Sequence, residues 1–356
     1  MVVASAILWP CTVSAQDVIQ ISTEPPACAV VLDEAVRLGD IDDPGTVGPA
    51  GQITQLASGD FLVAHWDNGA RIMVYGADGR YRESIGRRGE GPGEFSDPGI
   101  GKLRPAPGGG AFILDPGTRR ITHLAADWSL LGTTQIGAIF PLDFVPLASG
   151  RGFVVGGWGR AEDGRFGAVA EHLDAEGAVR ETIAVVPTDR ELINHFFAPA
   201  ARDDEGRVWR SLPVEYAVEA WDPAAPDRFL RLEGQREWFR PWPPADGYPL
   251  EAPPFSVIQG LRHRDGLLWL ATSVADDGWR EAVANPVQGV PIDGNRRRDT
   301  VVEVVDPATG ELVARSVLDD WLWWTGDGGY LYAARDEGLV SKAALFTVRL
   351  EGEDCP

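Results

Sequence analysis

The chain has 356 residues and is short of several things. Methionine occurs twice, histidine five times and asparagine four times. There is no Gly-x-Ser-x-Gly elbow and no His-Glu-x-x-His pair, which excludes two common hydrolase signatures. No Asn-x-Ser/Thr acceptor exists. The three cysteines, Cys11, Cys28 and Cys355, are too far apart for a CxxC redox pair or a zinc ribbon. Basic charge is scarce: 32 Lys and Arg stand against 53 Asp and Glu, a net charge of −21. Nucleic-acid binding by the whole surface is therefore excluded, since it rests on neutralising phosphates with cations. The same charge favours solubility and disfavours anionic membrane surfaces. Beyond the N-terminus no stretch approaches the ~18 apolar residues of a membrane span. No repeating unit shows a 3.6-residue apolar period, so a helical solenoid is excluded.

What is abundant points to strands. There are 42 glycines and 13 tryptophans, and many turns with many Trp fit short strands better than helices. The first residues, MVVASAILWPCTVSAQD, form an apolar run ending in Val13-Ser14-Ala15. Small residues at −3 and −1 suit signal-peptidase cleavage after Ala15, so residues 1–15 read as a signal peptide and the protein as extracytoplasmic. The plain alternative is a buried N-terminal strand. Leu8-Trp9-Pro10 before Cys11 is a poor lipobox. Cleavage would leave Cys28 and Cys355, an even count that suggests one disulfide in an oxidising compartment.

A repeat runs through the chain. Six stretches share a turn followed by an apolar strand: GDFLVAHW from Gly59, GGAFILDP from Gly109, GRGFVVGGW from Gly150, GRVWRSLP from Gly206, GLLWLATS from Gly266 and GGYLYAAR from Gly328. Each is followed by a second strand, such as RIMVYGADG from Arg71, and preceded by another extended stretch, such as GQITQLAS. Five have a further strand after that. The markers lie about 40 to 65 residues apart, close to a propeller-blade period. The expected fold is all-β: a six-bladed propeller of four-stranded antiparallel blades over residues 28–356. A single four-stranded sheet cannot bury both faces, so neighbouring sheets pack around an axis.

Blade one reads GDFLVAHWDNGARIMVYGADGRYRESIGRRGEGPGEF. It resembles an NHL repeat, whose form is strand, Asp-x-x-Asn-x-Arg-Ile, strand, Asp-Gly, strand, then a Gly-rich run ending in Phe. Here Asp67-Asn68-Gly69-Ala70-Arg71-Ile72 places the Asn early. The chain as a whole resembles exported bacterial six-bladed propellers of the NHL/TolB-like group. GRRGEGPGEF, residues 86–95, then connects the outer strand of blade one to the inner strand of blade two. Its glycines permit a sharp bend, and Phe95 is expected to plug between blades. A phosphate loop is rejected because no Gly-Lys-Ser/Thr follows.

Strands are lettered A to D from axis to rim. The B–C and D–A connections then share one face, called the top. The long connections, 156–167, 187–197, 234–254 and 272–299, all fall there, which makes the top the expected binding face. They carry Trp158, Trp238, Trp242 and Trp279, with Arg296 and Arg297 in NRRRD. Exposed aromatics beside arginines suit a peptide or glycan. The plain alternative is a hydrophobic lid over the channel. Arg87 and Arg88 could face a ligand. His65 and Asp67, with Asp115 at the same place in blade two, could hold a hard cation or act as acid and base. The alternative for them is turn anchoring.

Two functional expectations follow. The first is a non-enzymatic, monomeric binding propeller that takes a protein, peptide or glycan, with no cofactor. The second rests on resemblance to gluconolactonase and paraoxonase propellers, and implies a metal-dependent hydrolase with Ca²⁺ at the axis. Blade six lacks a fourth strand, while CAVVLDEAVRLGD near the N-terminus is a spare extended run. Residues ~30–40 are expected to close the ring by pairing antiparallel with 343–350, because a propeller should not leave that edge open. That would set Cys28 beside Cys355 for a disulfide.

Overall fold

The computed structural model describes residues 15–356, apart from 46, 48–51, 66–67, 97–99, 138, 148–151, 161–165, 188–199, 213–214, 224, 226–227, 242–251, 285–296, 338–339 and 354. Two strands precede the repeat: β1 (Ala15–Gln20) and β2 (Ala29–Leu38). Blade one follows as β3 (Gln52–Gln55), β4 (Phe61–Ala64), β5 (Ile72–Tyr75) and β6 (Tyr81–Ile85). In the connector, β7 (Arg87–Arg88) pairs in parallel with β8 (Glu94–Phe95). Blade two is β9 (Lys102–Pro105), β10 (Ala111–Asp115), β11 (Arg120–Leu124) and β12 (Leu130–Gln135). Blade three is β13 (Phe140–Pro146), β14 (Phe153–Arg160), β15 (Phe166–Leu173) and β16 (Val179–Pro187). Blade four is β17 (Ala200–Arg202), β18 (Val208–Ser211), β19 (Ala217–Trp221) and β20 (Arg228–Glu233). Blade five is β21 (Val257–Arg264), β22 (Leu267–Ala275), β23 (Arg298–Val305) and β24 (Leu312–Leu318), with a short helix α1 (Trp279–Ala284) between β22 and β23. Blade six is β25 (Trp323–Trp324), β26 (Leu331–Glu337), β27 (Val340–Glu351) and, from the other end of the chain, β2. The chain is a six-bladed β-propeller.

The residue pattern explains the layering. β4 and β5 are apolar and buried at every position, because a middle strand meets a neighbouring blade on both faces. Outer β6, YRESI, is buried only at Ile85. The core lies between blades: Leu62, Ile72, Phe95, Leu103 and Ile113 form one cluster where blades one and two meet. The connector is folded on itself there. Phe95 is fully buried, Gly91 N–H donates to the Glu94 carboxylate at 2.9 Å, and Arg120 donates to Glu94 O at 2.6 Å.

Ring closure follows the expectation. β2 runs antiparallel to β27, from Ala29 opposite Glu351 to Leu38 opposite Ala343. Cys28 and Cys355 are disulfide-bonded, with Cα atoms 5.9 Å apart. One element was not anticipated. β1 adds a fifth, parallel strand outside β20 in blade four. From there the chain crosses the rim of blade five, where Ser22 N–H donates to Gly310 O at 2.8 Å and Cys28 N–H to Val313 O at 3.3 Å. Gly310 is tied to this crossing, since a Cβ there would stand 2.2 Å from Gln20 O. Residues 15–38 thus form a strap across three blades. Two expected loops are shorter than the sequence suggested: β14 reaches Arg160 and β15 starts at Phe166, while β22 and α1 take up 267–275 and 279–284.

Candidate functional site

The A strands of the six blades converge on the axis, so short polar stretches far apart in sequence meet there. The A–B turn of blade six reaches across to blades one and two. Gly326 N–H donates to Ile53 O of blade one at 2.6 Å. A Cβ on Gly326 would lie 2.3 Å from Leu103 O of blade two, so only glycine fits this approach. Arg104, on β9, holds the turn from the other side. Its guanidinium donates to Gly326 O, to Phe144 O at 3.1 Å and to Asp143 at 3.0 Å. Asp143 is buried and also lies 3.5 Å from the Lys102 ammonium. Burial depresses the Lys102 pKa, and Asp143 works against that shift. Arg104 is thereby spent on joining blades two, three and six.

A cavity of about 1000 Å³ opens on the face of the A–B turns, beside this plug. That is the upper end of the range for small-molecule sites. Arg104, Arg202 and Arg262, from the inner strands of blades two, four and five, line its axial part with His263, Thr325 and Asp327. Arg202 donates to Pro146 O at 3.1 Å. Arg262 differs from the other two. Its guanidinium lies 5.6 Å from the centroid of the Trp324 ring, and its stem rests on Gly328. Among the described residues it donates no hydrogen bond to protein. Burial, and secondarily Arg264, lower its pKa from the usual guanidinium value, with Asp327 and Asp265 opposing. Asp327 is itself engaged, accepting from Gln55 N–H at 3.2 Å.

The chemistry of this lining is selective. A guanidinium offers donors and no lone pair, so it cannot ligate a cation. Arg104 is paired with Asp143, and Arg202 and Arg262 against the single carboxylate of Asp327 give the cavity lining a sign opposite to the −21 of the whole chain. Such a site suits an anion. Among the described residues no group of three His, Cys, Asp or Glu is placed to hold a metal ion.

The residues singled out from sequence lie elsewhere. Asp115 is fully buried at the end of β10 and accepts from Ser96 N–H at 2.8 Å, Gly117 N–H at 3.0 Å and Thr118 N–H at 3.1 Å, which anchors the B–C turn. His65 is buried just after β4, and its carbonyl accepts from Asn68 N–H at 2.9 Å. Arg87 and Arg88 are exposed, Arg87 pairing with Glu94 at 2.7 Å. Trp158 and Trp279 are buried. The Trp238 ring packs edge-on against Tyr216 at 5.6 Å between centroids and carries Arg315 at 5.4 Å. Arg297 lends its carbonyl to Asp276 N–H at 3.0 Å. Asp67, Trp242 and Arg296 lie outside the described residues. The described top-face candidates are largely engaged in packing or turns. Trp238 sits in a segment stapled to blade five: Arg236, with a side chain 5 % exposed, donates to Glu303 at 3.0 Å, and Tyr216 OH donates to the same carboxylate. The axial arginines were missed, although KLRP, AAR and LRHR each place an Arg near the end of an inner strand.

Fold and cavity together define a β-propeller with a basic axial cavity. No family model matches the chain, and no curated protein is similar to it in sequence. Solved structures do resemble it. A protein of Bacteroides fragilis described as exported is 11% identical, with a TM-score of 0.57, 95% of this chain covered and 100% of that one. A member of the DUF4221 family from Bacteroides vulgatus is 10% identical, with a TM-score of 0.59, covering 91% of this chain and 99% of that one. At such identities the likeness is one of fold.

Proposed function

We propose that this protein is an extracytoplasmic binding propeller of the NHL/TolB-like kind, and that it holds a small organic anion in the axial cavity. The observation that carries the reading is Arg262: a charged guanidinium held between Trp324 and Gly328, lining an open cavity, with no protein acceptor among the described residues. A charged group placed this way is stabilised when a ligand supplies the acceptor. The Val13-Ser14-Ala15 signal, the Cys28–Cys355 disulfide and the exported neighbour support the location. No helix among the described residues is long and apolar enough to cross a membrane. A binding role is favoured over hydrolysis because the described lining gathers donors, and among the described residues it gathers neither a nucleophile–base pair nor a metal-ligand set.

The test is titration calorimetry of carboxylates and their matching amides with wild type and Arg262→Met. Carboxylates are expected to bind and amides to bind at least tenfold more weakly, with the difference removed in the variant. Equal binding of acid and amide, or indifference to the variant, would overturn the reading.

A further inference from the structure

The cavity has two ends of different character. Away from the axis it runs into the cleft between blades two and three, where Phe112, Ile121, Val145 and Phe153 line it. Phe112 and Phe153 meet edge to face at 5.2 Å between centroids. The His123 ring lies against Phe112 at 4.4 Å. Its Nε2 is buried with no hydrogen-bond partner. Burial lowers the His123 pKa, so the ring is neutral near pH 7. A neutral imidazole stacked on Phe112 adds ring surface to this wall and no charge. The cleft is not filled from the outer strand: a Cβ placed on Gly132 of β12 would meet no atom within 4 Å.

We infer, building on the anion reading above, that the ligand is an amphipathic monocarboxylate. Its carboxylate sits at Arg262, and its apolar body lies along the cleft between blades two and three, past His123. A single negative charge fits the head site because the free guanidinium has Asp327 close enough to act on it, which would repel a dianion. An apolar body fits the other end because Phe112, Ile121 and Phe153 present carbon to the cavity. Each methylene removed from water there should tighten binding by up to about fourfold.

The probes are butyrate, octanoate and octanamide, titrated by calorimetry into the full-length mature protein. Three forms are compared: wild type, Arg262→Met and Gly132→Phe. The last fills the cleft from a position where added atoms meet open space, so folding should be kept; Gly132→Leu serves as a second filling variant. Octanoate is expected to bind at least tenfold tighter than butyrate and than octanamide. Arg262→Met should weaken octanoate about tenfold. Gly132→Phe should remove the advantage of octanoate over butyrate while leaving butyrate unchanged. If butyrate binds as tightly as octanoate, depends on Arg262 and ignores Gly132→Phe, the anion reading stands and the apolar-body inference falls. If octanamide matches octanoate and Arg262→Met is silent, both fall. Absence of binding by all three probes overturns both as well.

Discussion

Replacing Cys28 and Cys355 together by serine tests how much the covalent closure contributes. The disulfide joins residues 327 apart in sequence. In the chain-entropy description a cross-link over a loop of that length restricts the unfolded ensemble by about 6 kcal/mol at 25 °C, an upper figure. The unfolding entropy of a chain of this size is about 0.7 kcal/mol/K, so the loss corresponds to a fall of about 8 °C in Tm. The β2–β27 ladder remains in the variant and keeps the native ring in register. The 13 tryptophans make fluorescence a suitable probe of thermal and urea unfolding. Both midpoints should fall, with the folded-state spectrum unchanged. Stopped-flow mixing adds a finer reading. If β2 joins blade six after the rate-limiting step, the loss appears as faster unfolding with an unaltered folding rate. A Tm within about 1 °C of wild type would refute the reasoning, because the ends would then be held together equally well without the bond.

Two further outcomes are expected. Arg236→Met leaves the Glu303 carboxylate buried, with Tyr216 OH and, at 3.9 Å, Arg315 as its remaining partners among the described residues. It should destabilise by about 3 kcal/mol, while Arg236→Met combined with Glu303→Gln should recover most of that loss; a single-variant effect below about 1 kcal/mol in urea unfolding would contradict the stapling role. Asp299 is pushed up to about 7 by burial, by Asp276 and by Asp319. The folded state therefore keeps a proton that the unfolded state releases above its ordinary carboxylate pKa. Stability from this group is complete below about pH 4 and is lost as pH rises to about 7. Asp299→Asn should flatten the decline in Tm between pH 4 and pH 8, and a variant profile parallel to wild type would rule this out.

The parts of the fold readable in the sequence were those written locally. A glycine turn followed by an apolar run, as at Gly59-Asp60-Phe61-Leu62, signals a strand from within ten residues, and six such signals count the blades. The missing fourth strand of blade six was visible as an absence next to a spare run at 29–38, and an unpaired edge has an obvious cure. β1 was not visible. Parallel addition outside β20 needs no turn, and AQDVIQ carries no feature that distinguishes a docked strand from the end of a leader. The axial cavity was hidden for a different reason. Arg104, Arg202 and Arg262 are about 60 to 160 residues apart and come together only because a propeller brings its inner strands to one axis. Aromatic content drew attention to the long loops instead, yet Trp158, Trp238 and Trp279 pack inward, where large rings contribute most.

The strap also sets a timetable. β2 leaves the ribosome or a translocon early, yet its partner β27 lies more than 300 residues behind it. Through most of synthesis β2 has nothing to bind, and five blades can stack before β27 exists. During that interval β2 presents unpaired backbone on both edges, the state in which a β protein is most exposed to strand exchange with another copy. Oxidation of Cys28 with Cys355 can follow only once that gap is crossed, so the bond records that the circle was completed within one molecule.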